Sequence, residues 1–159
     1  MEVRVSYMRT IKKTVSVLLI CAIVLAFSAC KKTKKISAED FTSKLENELF
    51  TISKGGQEVS LKTWLVATYT DPESRHLTRV TYFEYISETA AQNAFDNDIN
   101  YYKRSEKAMK YNELSFSSHR IKADNGSTYT VEVFVDDMII EVCGSDKSKV
   151  KSVLSLLGY

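Results

Sequence analysis

The sequence predicts a single α+β domain over residues 37–159, built as two layers, with an antiparallel sheet of about five strands covered by helices mostly on one face. Two observations predict this class. Segments with a 3.6-residue apolar period alternate with β-branched and aromatic runs in the order α-β-β-α-β-β-β-α. The links between neighbouring strands are also of hairpin length, which favours antiparallel pairing. About 120 residues are enough for one hydrophobic core and too few for two.

Three helices are predicted from cap residues and apolar stripes. The first spans residues 37–50 and begins at Ser37, a favourable N-cap. The second begins at Ser87 and ends near Arg104, where a basic side chain suits the negative end of the helix dipole. The last begins at Asp146. The apolar stripe of the first helix consists of Phe41, Leu45 and Leu49, and that of the last helix consists of Val150, Val153, Leu154 and Leu157. The stripe of the second helix consists of Ala91, Ala94, Phe95, Ile99 and Tyr102, and Asp98 is a polar interruption in it.

Five runs are predicted as strands: residues 63–69, 77–86, 114–122, 127–135 and 138–143. The run at residues 127–135 has the strictest two-residue alternation, with Val131, Val133 and Val135 on one face and Thr130 on the other. We therefore expect it to be the central strand, with its valine face turned towards the last helix.

Residues 1–29 have the layout of an export signal. A basic start at residues 9–13 precedes an uncharged apolar core at residues 15–27, and small residues follow. This core is shorter than the roughly 20 apolar residues that a membrane-spanning helix needs. Because a basic start is complete from Met8 onward, translation from Met8 is an alternative to Met1.

The segment Phe27-Ser28-Ala29-Cys30 resembles the lipobox of bacterial lipoproteins, in which a small residue precedes a cysteine that is lipidated and becomes the new N-terminus. The resemblance implies cleavage between Ala29 and Cys30, a lipid such as palmitate on Cys30, and a location on the outer face of the cell membrane. With its terminal Leu-Gly-Tyr, the chain looks like small uncharacterised lipoproteins of Gram-positive, clostridia-like bacteria. That group implies no activity, cofactor or catalytic residue.

Residues 30–36 are predicted to be a lipidated cysteine and a basic tether. Its lysines are Lys31, Lys32, Lys34 and Lys35. Each lysine near anionic headgroups can add about 1 kcal/mol to membrane attachment, and the alternative is an ordinary solvated linker. Residues 1–35 hold eight of the 22 basic residues and one of the 20 acidic ones, so 14 bases and 19 acids follow from Ile36 onward, a net charge of −5. This acidic domain is not expected to bind nucleic acid.

The sequence contains no recognisable catalytic, cofactor or metal motif. Residues 124–126 lack the alternating acids and the closing Glu of a calcium loop, and residues 136–137 suit a solvated turn, so neither is predicted to hold a metal. His76 and His119 are interpreted as ordinary surface or edge histidines. Cys143 is interpreted as a half-buried structural thiol.

Tyr101 and Tyr102 are the candidate binding residues. They point about 100° apart on one helix, so at least one is expected near solvent, where tyrosine suits contact with a protein, peptide or glycan. Trp64, on a strand, is expected to be buried. Two hypotheses follow: a membrane-anchored binding or interaction domain, which is favoured, and a small extracytoplasmic enzyme whose site is not recognisable. A deep pocket with perturbed carboxylates would favour the enzyme.

Overall fold

The computed structural model describes residues 33–159, and the predicted export signal, Cys30, Lys31 and Lys32 lie outside the described residues. The helices are α1 (Ala38–Glu46), α2 (Glu88–Met109) and α3 (Lys147–Leu157). The strands are β1 (Thr51–Lys54), β2 (Leu61–Thr70), β3 (Leu77–Tyr85), β4 (Glu113–Ser117), β5 (Arg120–Asp124), β6 (Tyr129–Val135) and β7 (Met138–Gly144). No helix among the described residues is long and apolar enough to cross a membrane.

All seven strands form one antiparallel sheet in the order β1-β2-β3-β7-β6-β5-β4. The first three strands build one half as consecutive hairpins. Helix α2 then carries the chain to the far edge, and the last four strands return towards the centre, where β7 pairs with β3. The two halves are therefore joined along β3 and β7.

Helices cover both faces of the sheet. On one face, α1 and α3 enclose the larger core, which includes Phe41, Tyr82, Val133 and Ile140. On the other face, α2 packs through Phe95 and its neighbours on a smaller core. The domain is α+β, as predicted, but the predicted two-layer arrangement is wrong, because the apolar stripe of α2 lies on the opposite side of the sheet from α1 and α3.

The predicted count of about five strands and the predicted element order are also wrong. Residues 114–122 form parts of two strands, β4 and β5, joined by a turn at Ser118 and His119 that contains no glycine, proline or asparagine to mark it. The edge strand β1 was missed because α1 ends at Glu46, earlier than predicted, and Leu49 takes a positive φ of 63°. The short β1 then pairs with β2.

Two further predictions need correction. The central strand is β7, while β6 is its neighbour, although β6 is buried along its whole length because helices cover both of its faces. Helix α2 continues past Arg104 to Met109 and ends where Lys110 adopts a left-handed conformation. The cap residues Ser37, Ser87 and Asp146 begin the three helices as predicted, each accepting a hydrogen bond from a backbone N–H in the first turn.

Candidate functional site

The segment before α1 is bound to one end of the sheet through an ion-pair cluster. Lys35 Nζ lies 2.7 Å from Glu84 Oε1 and 2.6 Å from Asp137 Oδ1, and Lys62 Nζ lies 3.0 Å from the second oxygen of Asp137. Burial alone would lower the pKa of Lys35, but the hydrogen bonds that Lys35 donates to both carboxylates outweigh this effect and raise its pKa. Lys35 is therefore a fixed cation on the domain.

Two tyrosines hold the backbone of the same segment. Tyr159 Oη donates to the carbonyl oxygen of Lys34 at 2.9 Å and accepts from the backbone N–H of Ile36 at 3.2 Å. Tyr82 Oη donates to the carbonyl oxygen of Ile36 at 3.3 Å, and the Ile36 side chain is buried in the larger core. Residues 34–36, predicted as tether, therefore pack as part of the domain.

An open groove of about 570 Å³ lies at this end of the sheet, between the β1–β2 loop and the start of β2. It is lined by Gly56, Gln57, Glu58, Val59, Leu61, Lys62, Thr63 and Trp64. Aromatic surface, one acid and one base therefore meet in a single open concave region.

Trp64 is only partly buried and forms one wall of this groove. The backbone of Gly55 lies against the indole so closely that a side chain there would overlap the ring. The indole centroid is 5.5 Å from that of Phe83, and Phe83 is 6.3 Å from Tyr85, so the three rings form a row on the α2 face. The Trp64 Nε1–H is buried and has no hydrogen-bond acceptor among residues 33–159.

The predicted candidates Tyr101 and Tyr102 lie on α2, and neither lines the groove. Tyr101 is 55% exposed, and its ring meets that of Tyr102 edge to face at 5.5 Å. Tyr102 is partly buried, and burial raises its pKa. It also contacts Tyr111, at 6.2 Å between centroids. Tyr101 is thus the member of the pair that is open to solvent.

A group of carboxyls lies beneath α2. Glu132 on β6 is 2% exposed, and its cross-strand neighbour on β7 is Glu141, while Asp98 approaches from α2 within hydrogen-bonding reach. Burial, with the charges of Asp98 and Glu141, raises the pKa of Glu132 to about 9. Glu132 is therefore protonated at neutral pH. Its Oε1 has no partner among the described residues.

Within this group, Glu132 is enclosed between α2 and the sheet, so it cannot meet a substrate from solvent. Glu141 is partly exposed and pairs with Arg79 at 3.3 Å. The alternation of β6 placed Glu132 on the face opposite the valines, so no local pattern indicated its burial. The polar interruption at Asp98 in an apolar helix stripe was the available signal.

The other residues that the sequence analysis considered lie outside the groove. His76 and His119 are exposed, and the His119 ring stacks 6.0 Å from that of Phe134. Burial raises the pKa of the Cys143 thiol, which disfavours the reactive thiolate. Asp124 Oδ1 accepts from Gly126 N at 2.9 Å in a turn, and within residues 33–159 no three potential ligands are grouped to hold a metal.

No protein-family model matches this chain, and no curated protein matches it significantly. Among solved structures, the chain is similar to the crystal structure of a GTP binding regulator from Thermotoga maritima, with 12% sequence identity and a TM-score of 0.44. The likeness covers 77% of this chain and 87% of that one. A likeness of this size carries no argument about function.

Proposed function

We propose that this protein is a lipoprotein anchored through Cys30 to the outer face of the cell membrane, and that its domain binds a ligand in the groove beside Trp64. The anchor is supported by the small pair Ser28-Ala29 before Cys30 and by the uncharged core that precedes it. No chemistry is assigned to the domain, because Glu132, the carboxyl with the strongly raised pKa, is closed off from solvent.

The anchor would hold the domain close to the bilayer. The backbone of Lys34 is fixed to the domain by Tyr159, and only three residues separate Lys34 from Cys30. An extended chain covers at most about 3.5 Å per residue, so four steps reach roughly 14 Å. A domain with this short a reach meets ligands at the membrane surface and does not extend across a thick wall.

The observation that carries the binding function is the partly buried indole of Trp64, which forms one wall of an open groove. The Nε1–H of this indole is itself buried, so a ligand would meet the ring and not the N–H. A short glycan or a peptide would pack on this aromatic wall. Glu58 and Lys62 at the rim supply polar contacts for orientation.

Trp64 is the only tryptophan in the chain, so intrinsic fluorescence reports on the groove directly. We expect glycan or peptide fractions from the native envelope to change its emission in a saturable way. Binding should weaken in Lys62→Ala and persist in Tyr101→Ala, which changes an exposed aromatic outside the groove.

Crosslinking in native membranes identifies the partner and the surface together. The lipidated full chain carries a photoreactive residue at Gln57 in one sample and at Tyr101 in another. Capture from Gln57 alone supports the groove. Capture from Tyr101 alone, with no fluorescence response to any fraction, would move the binding surface to α2 and contradict the assignment.

A further inference from the structure

We infer that the end of the domain bearing Lys35 contains a membrane-contacting surface, in which Val59 and Ile86 touch the lipid. This inference rests on the anchor in the proposed function, and it adds a second, non-covalent contact. Val59 is 96% exposed and Ile86 is 57% exposed. The backbone N–H of Ile86 donates to the carbonyl oxygen of Ser60, the residue after Val59, at 3.0 Å, so the two apolar residues are neighbours.

The chain enters the domain at this same end. Lys35 binds Asp137, whose carbonyl oxygen accepts from the N–H of Tyr85 at 2.8 Å, and Ile86 is the next residue. Five steps separate Cys30 from Lys35, a reach of at most about 18 Å. A lipid on Cys30 would therefore hold this end, and no other end of the sheet, against the bilayer.

The charges at this end favour a neutral lipid surface. Glu84 and Asp137 are compensated by Lys35 and Lys62. The exposed acids at this end include Glu58, Glu88 and Asp136, and Lys34 is exposed as well. A contact with this balance depends on apolar burial and not on attraction to anionic headgroups, so it should persist at high salt.

Leu77 is a matched control for Ile86. It is 52% exposed and begins β3, the strand that ends one residue before Ile86, so it lies at the opposite end of the sheet. The nine residues of this strand are separated by eight steps of about 3.4 Å, so they span about 27 Å, which is more than an adjacent surface contact can bridge. The two positions are alike in exposure and apolar character, and they differ in their distance from the entry of the chain.

The test uses the processed, lipidated full chain in phosphatidylcholine vesicles. A polarity-sensitive dye is attached at Val59→Cys, Ile86→Cys or Leu77→Cys in a Cys143→Ser background, and doxyl-labelled lipid is the quencher. We expect a blue shift and quenching at positions 59 and 86, unchanged in 1 M salt, and neither effect at position 77. A response at position 77 and not at 86 would overturn the inference, as would no response at any position.

Mass spectrometry of the same sample separates this inference from the proposed function. If Cys30 carries lipid and the dye at position 86 stays in water, the membrane-contacting surface is wrong and the anchor stands. If Cys30 carries no lipid, the anchor in the proposed function and the membrane-contacting surface are both wrong.

Discussion

Glu132 makes stability depend on pH in the direction opposite to that of most carboxylates. Its pKa is about 9 in the folded domain against an ordinary value of 4.5, because burial and the charges of Asp98 and Glu141 disfavour ionisation. Between these two values the folded state holds a proton that the unfolded state has released. This contribution to stability is therefore lost progressively as pH rises from about 4.5 to about 9.

Replacing Glu132 by Gln should raise the free energy of unfolding at pH 8, on the order of 3 kcal/mol, because the amide stays neutral. At pH 4 the variant and the parent should differ little. Denaturant midpoints at the two pH values measure the difference, with Glu73→Gln in an exposed turn as the control. Equal destabilisation of Glu132→Gln at both pH values would show that the carboxyl is ionised and paired.

Gly55 is needed because of Trp64. A Cβ at position 55 would overlap the indole, whereas one at Gly56 would lie 3.3 Å from its edge. Gly55→Ala should therefore displace the ring, red-shift its fluorescence and destabilise the domain by about 1–3 kcal/mol, while Gly56→Ala has a smaller effect. Emission spectra and thermal unfolding measure both results. Identical spectra for Gly55→Ala and the parent would contradict the packing of Trp64 under this loop.

At the scale of elements, the entry segment is secured by Tyr159. Tyr159→Phe removes two hydrogen bonds to the backbone of Lys34 and Ile36, each worth about 1 kcal/mol. Local release of this segment should become about thirtyfold more frequent, so trypsin should cut after Lys35 about thirtyfold faster. Cleavage after Lys107, on the exposed last turn of α2, should be unchanged. Equal rates after Lys35 in the two proteins would mean that the tyrosine does not hold the segment.

Substitutions in strand β6 test whether helices cover both faces of the sheet. Val133→Asp buries an unpaired charge against α3 and should cost several kcal/mol. Thr130→Asp should also be costly, because α2 covers that face and Glu132 is already there. Thr128 precedes the strand and is exposed, so Thr128→Asp should be tolerated. Denaturant midpoints rank the three variants. A well-tolerated Thr130→Asp would contradict the helix layer on that face.

Elements with strong local signals could be predicted from the sequence. Capping by Ser37, Ser87 and Asp146 is a short-range effect, and the alternation of β6 correctly indicated that its valines face α3. The turn at Ser118 and His119 could not be predicted, because a hairpin without special turn residues is fixed by pairing between strands. The edge strand β1 likewise depends on its partner β2.

The arrangement of the whole molecule was not predictable from local patterns. Whether α2 lies on the same face as α1 and α3 depends on the crossover from β3 to β4, which no single segment encodes. The candidate site could not be predicted from local patterns either, because the groove forms only where the β1–β2 loop meets Trp64. Two of its features were visible beforehand: an aromatic on a strand and a glycine pair before it. The contact between the indole and these glycines was not visible in the sequence.

The topology also relates the groove to the entry of the chain. Asp137, in the β6–β7 turn, binds Lys62 of β2 and Lys35 of the entry segment, so one carboxylate links the groove to the point where the chain leaves for Cys30. In the proposed function, binding and anchoring therefore occur at one end of the domain. The ligand would be one that is available at the membrane surface.

The lipid anchor is tested by mass spectrometry of the N-terminal peptide from the membrane fraction. We expect a chain that begins at Cys30, carries diacylglycerol on the sulfur, and is lost from membranes in Cys30→Ser. A mature chain that begins elsewhere, or an unmodified Cys30 in protein that still sediments with membranes, would contradict it.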